Sequence, residues 1–169
     1  ADERAAVCAA AVDFEYCNPP RRGRNIELVQ VAIGPYALVF DAHEWSPVLG
    51  AAEVAPGVPS LAHWLQSPLV IKSVQACDGD ADRLSRMGLR MCPVFDTSAA
   101  ELILTRASQQ SGLHILVSKY VAPGLMLEKA RVKSEGFDVF GRRPLPDWAC
   151  RYSWQDVAWG VQLMMAQRR

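Results

Sequence analysis

Two acidic residues, Asp13 and Glu15, sit inside Ala11-Val12-Asp13-Phe14-Glu15-Tyr16, a run whose small, β-branched and aromatic residues predict a strand. Side chains alternate across a strand, so Asp13 and Glu15 project from one face while Val12, Phe14 and Tyr16 occupy the other. On a core strand two such carboxylates repel each other and lose hydration, and a divalent cation between them relieves both penalties. On an edge strand the same pair would be solvated and need no cation; these residues alone leave both readings open. Towards the other end, Tyr152 and Asp156 are four apart in a predicted helix. That spacing puts a hydroxyl and a carboxylate on one face with about 5 to 6 Å between their Cβ atoms. The plainer alternative is a core Tyr152 beside a surface Asp156. Between the two pairs lies Gln75-Ala76-Cys77-Asp78-Gly79-Asp80-Ala81-Asp82, a cluster of acids where a strand passes into a helix. Acids there also simply favour the positive end of the helix.

The elements that must position these groups follow in order. After the first strand, Asn18-Pro19-Pro20-Arg21-Arg22-Gly23-Arg24 is a turn and a small basic cluster, either solvated or placed for phosphate contacts. Segments 26–33 and 37–41 read as strands joined at Gly34-Pro35, so the chain opens with an antiparallel meander. From Trp45 to Pro59 the composition is loop-like, and Ser60 caps a short helix over 61–66. Residues 69–74 are short and apolar enough for a buried parallel strand. A helix continues through Arg83 to Met87 and stops at Gly88. Leu89 to Phe95 reads as another strand, with Asp96-Thr97 capping a helix over 98–108. Helices are expected over 112–121 and 125–133, split by Pro123-Gly124, then a Gly- and Pro-punctuated stretch holding Arg142 and Arg143. One last helix, 147–167, follows Pro146, with its tryptophans Trp148, Trp154 and Trp159 read as core.

Composition narrows the function. The 169 residues suit one compact α/β domain, and half of them are hydrophobic. Lys+Arg and Asp+Glu both number 18, so no global basic field marks a nucleic-acid binder and any such contact must be local. Cys8, Cys17, Cys77, Cys92 and Cys150 are odd in number with no Cys-x-x-Cys pair, which argues against a disulfide framework or zinc knuckle and for an intracellular setting. No apolar run is long enough for a membrane span. His43, His63 and His114 match no motif and read as structural or solvated.

Taken together, Asp13 and Glu15, Asp80, and Tyr152 with Asp156 resemble the DEDD superfamily of metal-dependent 3′-5′ exonucleases, in the subgroup whose third motif is Tyr-x-x-x-Asp. Leu28-Val29-Gln30-Val31-Ala32, Phe40-Asp41, Ala76-Cys77-x-x-Asp80, Phe95-Asp96-Thr97 and Arg143-Pro144-Leu145 resemble the ribonuclease D branch. The resemblance covers 11 to about 163. Gln75 departs from it, since relatives often carry His there, and Asp78 competes with Asp80 for the second motif.

The resemblance implies a ribonuclease H-like fold, a central mixed sheet flanked by helices, with the acids meeting at its middle. It implies two divalent ions, Mg²⁺ or Mn²⁺, about 3.5 to 4 Å apart across the scissile phosphate. By the same analogy Asp13 bridges both ions, Glu15 and Asp156 hold the ion carrying the nucleophilic water, Asp80 supports the second, and Tyr152 orients the water. The implied substrate is the 3′ end of single-stranded RNA, with a larger RNA-processing complex as a further partner and no membrane. Tyr16 and Cys17 are candidates for reading the terminal nucleotide, and Arg21, Arg22, Arg24, Arg142 and Arg143 for phosphate contacts. Residues 1–169 are expected to form a single exonuclease domain without the helical HRDC domain that follows it in ribonuclease D. Two other readings compete: a DNA exonuclease of proofreading or Werner type, and a non-catalytic RNA-binding scaffold, which predicts a missing acid.

Overall fold

The computed structural model describes residues 8–17, 26–42, 53–55, 57–125 and 129–169. The expected meander is present: β1 (Cys8–Glu15), β2 (Leu28–Ile33) and β3 (Tyr36–Asp41) pair antiparallel, with Gly34 at a φ of 57° in the turn between the last two. The loop-like segment after β3 holds a small ribbon, β4 (Glu53–Ala55) and β5 (Val58–Pro59). Helix α1 (Leu61–Gln66) starts where expected, with the Ser60 hydroxyl accepting from the His63 N–H at 3.1 Å. Next come β6 (Val70–Val74), α2 (Asp78–Arg86), β7 (Val94–Asp96), α3 (Thr97–Thr105), α4 (Leu113–Tyr120), α5 (Lys129–Glu135), a 3₁₀ turn over Phe137–Gly141, α6 (Asp147–Ala158) and α7 (Gly160–Gln167).

The main sheet runs β3-β2-β1-β6-β7, antiparallel on the β3 side and parallel through β6 and β7. Both faces are covered, which is why β1 reads as nearly continuous apolar sequence. Ala10, Val12 and Phe14 pack towards α1 and α2 with Leu65 and Leu84. From the opposite face, Ala11 meets Val157, while Leu28 joins Trp148, Ala149 and Tyr152 of α6. Alternation therefore turns Asp13 and Glu15 towards α6.

Three expectations need correction. The strand predicted over Leu89 to Phe95 is only Val94–Asp96, because Pro93 brings no N–H to a ladder. Its approach is held instead by fully buried Lys72, whose ammonium donates to Ser67 O at 2.7 Å and Cys92 O at 2.8 Å. The single helix predicted over 147–167 is two helices with a break at Trp159, where a Cβ on Gly160 would come within 2.5 Å of the Ala11 Cβ. A glycine there lets the backbone of α7 press onto β1, and Ser73 Oγ donates to Gly160 O at 2.8 Å. Trp154 is 41% exposed and not core, since the stripe of α6 facing the sheet runs through Ala149, Ser153 and Val157. Helix α5 begins at Lys129, and residues 126–128 lie outside the described residues.

Candidate active site and metal centre

The pairing register opens the site. β1 keeps β2 beside it through Glu15, but its pairing with β6 covers only Cys8 to Ala11. Past Ala11 those two strands part, and a cavity of ≈ 370 Å³ lies there, lined by Asp13, Glu15, Asp80, Tyr152 and Asp156 among others. Oxygens of Asp13, Glu15 and Asp156 lie within 4.8 Å of one another. Glu15 is 5% exposed, so this charge is drawn out of water as well as crowded. Hard carboxylate oxygens converging in that way fit a divalent cation of the Mg²⁺ or Mn²⁺ kind.

Tyr152 is buried one turn before Asp156 and hydrogen-bonds it. Burial, reinforced by the charges of Asp156 and Glu15, holds its hydroxyl far above the ordinary value of 10, so it stays a proton donor at neutral pH. Asp80 enters from another wall, in the first turn of α2. It lies outside the three-carboxylate cluster yet lines the same cavity. Burial pushes its carboxyl up to about 6, with Asp96 adding to the rise and Arg83 opposing it. Asp78, the competing acid, is exposed.

Asp96 positions that wall. As expected it caps α3, accepting from Ser98 N at 2.8 Å and Ala99 N at 3.2 Å. It also accepts from Ala76 N at 3.1 Å and Cys77 N at 2.9 Å, across the β6–α2 turn that leads to Asp80. Ala76 has a φ of 54°, a conformation usually left to glycine, and these bonds help impose it. Burial alone would raise the Asp96 carboxyl, but the N–H groups of Cys77, Ala99 and Ala76 hold it below its ordinary range. Gln75 serves the same wall: its amide donates to Ser111 O at 2.9 Å, and its carbonyl is bonded by Thr97 Oγ1.

The residues singled out for nucleic acid separate. Tyr16 lies on the cavity wall with its ring already engaged: the Arg83 guanidinium is 3.4 Å from its ring centre, and Phe137 stacks on it at 6.0 Å and 12°. Cys17 is buried, its thiol directed to Phe137 O and Asp138 O at 3.9 Å. Arg143 makes a two-pronged pair with Asp41 and donates to Phe140 O at 2.8 Å, tying the loop before α6 to the end of β3. A phosphate would have to compete with that carboxylate. Arg142 is half-exposed, 3.8 Å from Glu135. Arg21, Arg22 and Arg24 lie outside the described residues, as does His43; His63 and His114 are exposed. Sequence reasoning missed Phe137, 47% exposed on the cavity wall, and Arg83. The available signal was an aromatic directly after Gly136, whose φ of 80° sets the turn.

A mixed five-stranded sheet with flanking helices is the ribonuclease H-like fold of the ribonuclease D-type exonucleases. Residues 4–166 match the family model for 3′-5′ exonucleases, and the chain belongs to that family, within the DEDD superfamily. No curated protein matches the sequence. Among solved structures it is similar to Escherichia coli RNase D, an exoribonuclease involved in structured RNA processing, at 23% identity and a TM-score of 0.68, covering 96% of this chain and 40% of that one. Trypanosoma brucei RNase D in complex with RNA U12 gives 21% identity and a TM-score of 0.77, covering 96% and 56%. Brucella melitensis NrnC with bound Mg²⁺ gives 20% and 0.68, covering 98% and 74%. The chain thus spans about half the length of the two RNase D proteins.

Proposed function

We propose that this chain is the catalytic domain of a metal-dependent 3′-5′ exoribonuclease that removes nucleoside 5′-monophosphates from single-stranded RNA. The observation that carries the reading is the convergence of Asp13, Glu15 and Asp156 within 4.8 Å, with Tyr152 and Asp80 in the same cavity. Asp13, Glu15 and Asp156 would hold one divalent ion, and Asp13 with Asp80 a second. When bound, such ions supply an activated water and neutralise charge on the scissile phosphate. Tyr152, protonated and donating its one hydroxyl hydrogen to Asp156, would orient the attacking water by accepting from it at the phenol oxygen, and does not serve as the base.

The match to the 3′-5′ exonuclease family favours removal from an end, and a cavity of ≈ 370 Å³ is of a size to take a terminal nucleotide. Since Arg83 and Phe137 already engage the Tyr16 ring, Phe137, itself 47% exposed, is the better stacking surface for the terminal base. Arg142 and the cluster Arg21, Arg22 and Arg24 are the candidates for the strand's phosphates. RNA is preferred over DNA because the RNA-bound relative is an RNase D. Among the described residues no helix is long and apolar enough to cross a membrane.

The test is a 5′-labelled single-stranded RNA, beside its DNA equivalent, incubated with Mg²⁺ or Mn²⁺ or with EDTA and resolved as a ladder. The expected result is a metal-dependent ladder shortening from the 3′ end of RNA. Asp13→Asn and Asp156→Asn should each lower turnover by roughly 10³-fold or more while the protein stays folded. Equal shortening of DNA would move the reading to a DNA exonuclease, and undiminished turnover in both variants would overturn the site.

A further inference from the structure

Behind the carboxylate cluster lies a second polar group of residues. Gln30 is the direct cross-strand partner of Asp13, so their side chains leave the sheet on one face with Cβ atoms about 4.5–5.5 Å apart. Gln30 is 0% exposed, and neither its Nε2 nor its Oε1 has a hydrogen-bond partner among the described residues. Ser153 is also 0% exposed, and its hydroxyl is equally unpartnered there. The register brings the two together. Ala149, Ser153 and Val157 form one stripe of α6; Ala149 packs in the Leu28 cluster and Val157 in the Ala32 cluster. Ser153 therefore sits over Gln30, which lies between Leu28 and Ala32 on β2. Unmatched buried polar atoms each cost about 1–3 kcal/mol, so three in one seam call for a function.

We propose that Gln30 and Ser153 are a positioning pair for Asp13. These atoms are not bonded to one another in the structure; with the cation bound, rotation of the two side chains would let the Ser153 hydroxyl donate to Gln30 Oε1, and Gln30 Nε2 donate to a buried water that in turn donates to the Asp13 carboxylate. Gln30 thereby orients Asp13 towards the cation that the proposed function requires, as outer partners of metal ligands do. The inference rests on that function reading.

Mn²⁺ is titrated into wild type, Gln30→Leu and Ser153→Ala, with binding followed by calorimetry and turnover by the RNA ladder. Gln30→Leu should raise both the Mn²⁺ dissociation constant and the half-saturating Mn²⁺ about 10-fold, Ser153→Ala less but in the same direction. At saturating Mn²⁺ kcat should recover, with the KM for RNA unchanged, a pattern that a merely structural role would not produce. Wild-type Mn²⁺ affinity in Gln30→Leu, or a kcat deficit that Mn²⁺ does not restore, overturns the inference while leaving the function standing. If Gln30→Leu does not fold, Ser153→Ala decides alone: a raised dissociation constant supports the pair and an unchanged one overturns it. A wild-type protein that neither binds Mn²⁺ nor shortens RNA overturns the function reading and this inference with it.

Discussion

Asp80 lines the cavity and Asp96 braces the turn behind it, and the two are handled in opposite ways. Asp96 has four backbone N–H groups directed at its carboxylate, and its acidity is strengthened despite burial. Burial weakens the acidity of Asp80, which is pushed up to about 6. An aspartate whose charge the fold already satisfies is a structural joint; one whose charge the fold penalises suits a ligand arriving from outside. Asp96 spans the β6–α2 turn and the start of α3, so it holds in place the helix that carries Asp80.

The contrast can be broken by substitution. Asp80→Asn should leave the protein folded and reduce metal-dependent turnover about 10²-fold, whereas Asp96→Ala should unfold the protein earlier. Losing the α3 cap and two further N–H partners should cost about 2–4 kcal/mol, read as a lower denaturation midpoint in urea. If Asp96→Ala lost activity with no loss of stability, Asp96 would belong with the ligands.

pH sharpens the same comparison in metal-free protein. The Asp80 carboxyl is higher in the folded chain, about 6, than its ordinary 3.8. Its contribution to stability is therefore full below the ordinary value and is lost as pH rises through about 6. In EDTA, the thermal midpoint of Asp80→Asn should pull ahead of wild type between about pH 4 and 6 and hold its lead above that. Asp96 works the other way, contributing above its ordinary range and losing that contribution as pH falls below it. A lead for Asp80→Asn that did not vary with pH would mean that Asp80 titrates normally. The smallest effect concerns Cys77 between these two acids, whose thiol is pushed up to about 12 by burial and by Asp96. Iodoacetamide at pH 8 should label exposed Cys8 and Cys92 well before Cys77, as peptide mapping would show.

Much of this was legible in the residues. Asp13 and Glu15 on one face of β1 followed from the period of two, and Tyr152 with Asp156 from helical spacing, because both are properties of local backbone geometry. The Ser60 and Asp96 caps and the Gly34 turn were equally local. What sequence could not supply were relations between distant segments. That β1 and β6 separate after Ala11 depends on pairing register, and that the last helix breaks at Trp159 depends on how closely Gly160 approaches Ala11. Covering Tyr16 took Arg83 and Phe137 from two other elements, and claiming Arg143 took Asp41 from the end of β3. Residue type and spacing determined which groups could do the chemistry; only the assembled sheet and helices decided which were already satisfied, since that depends on neighbours far away along the chain.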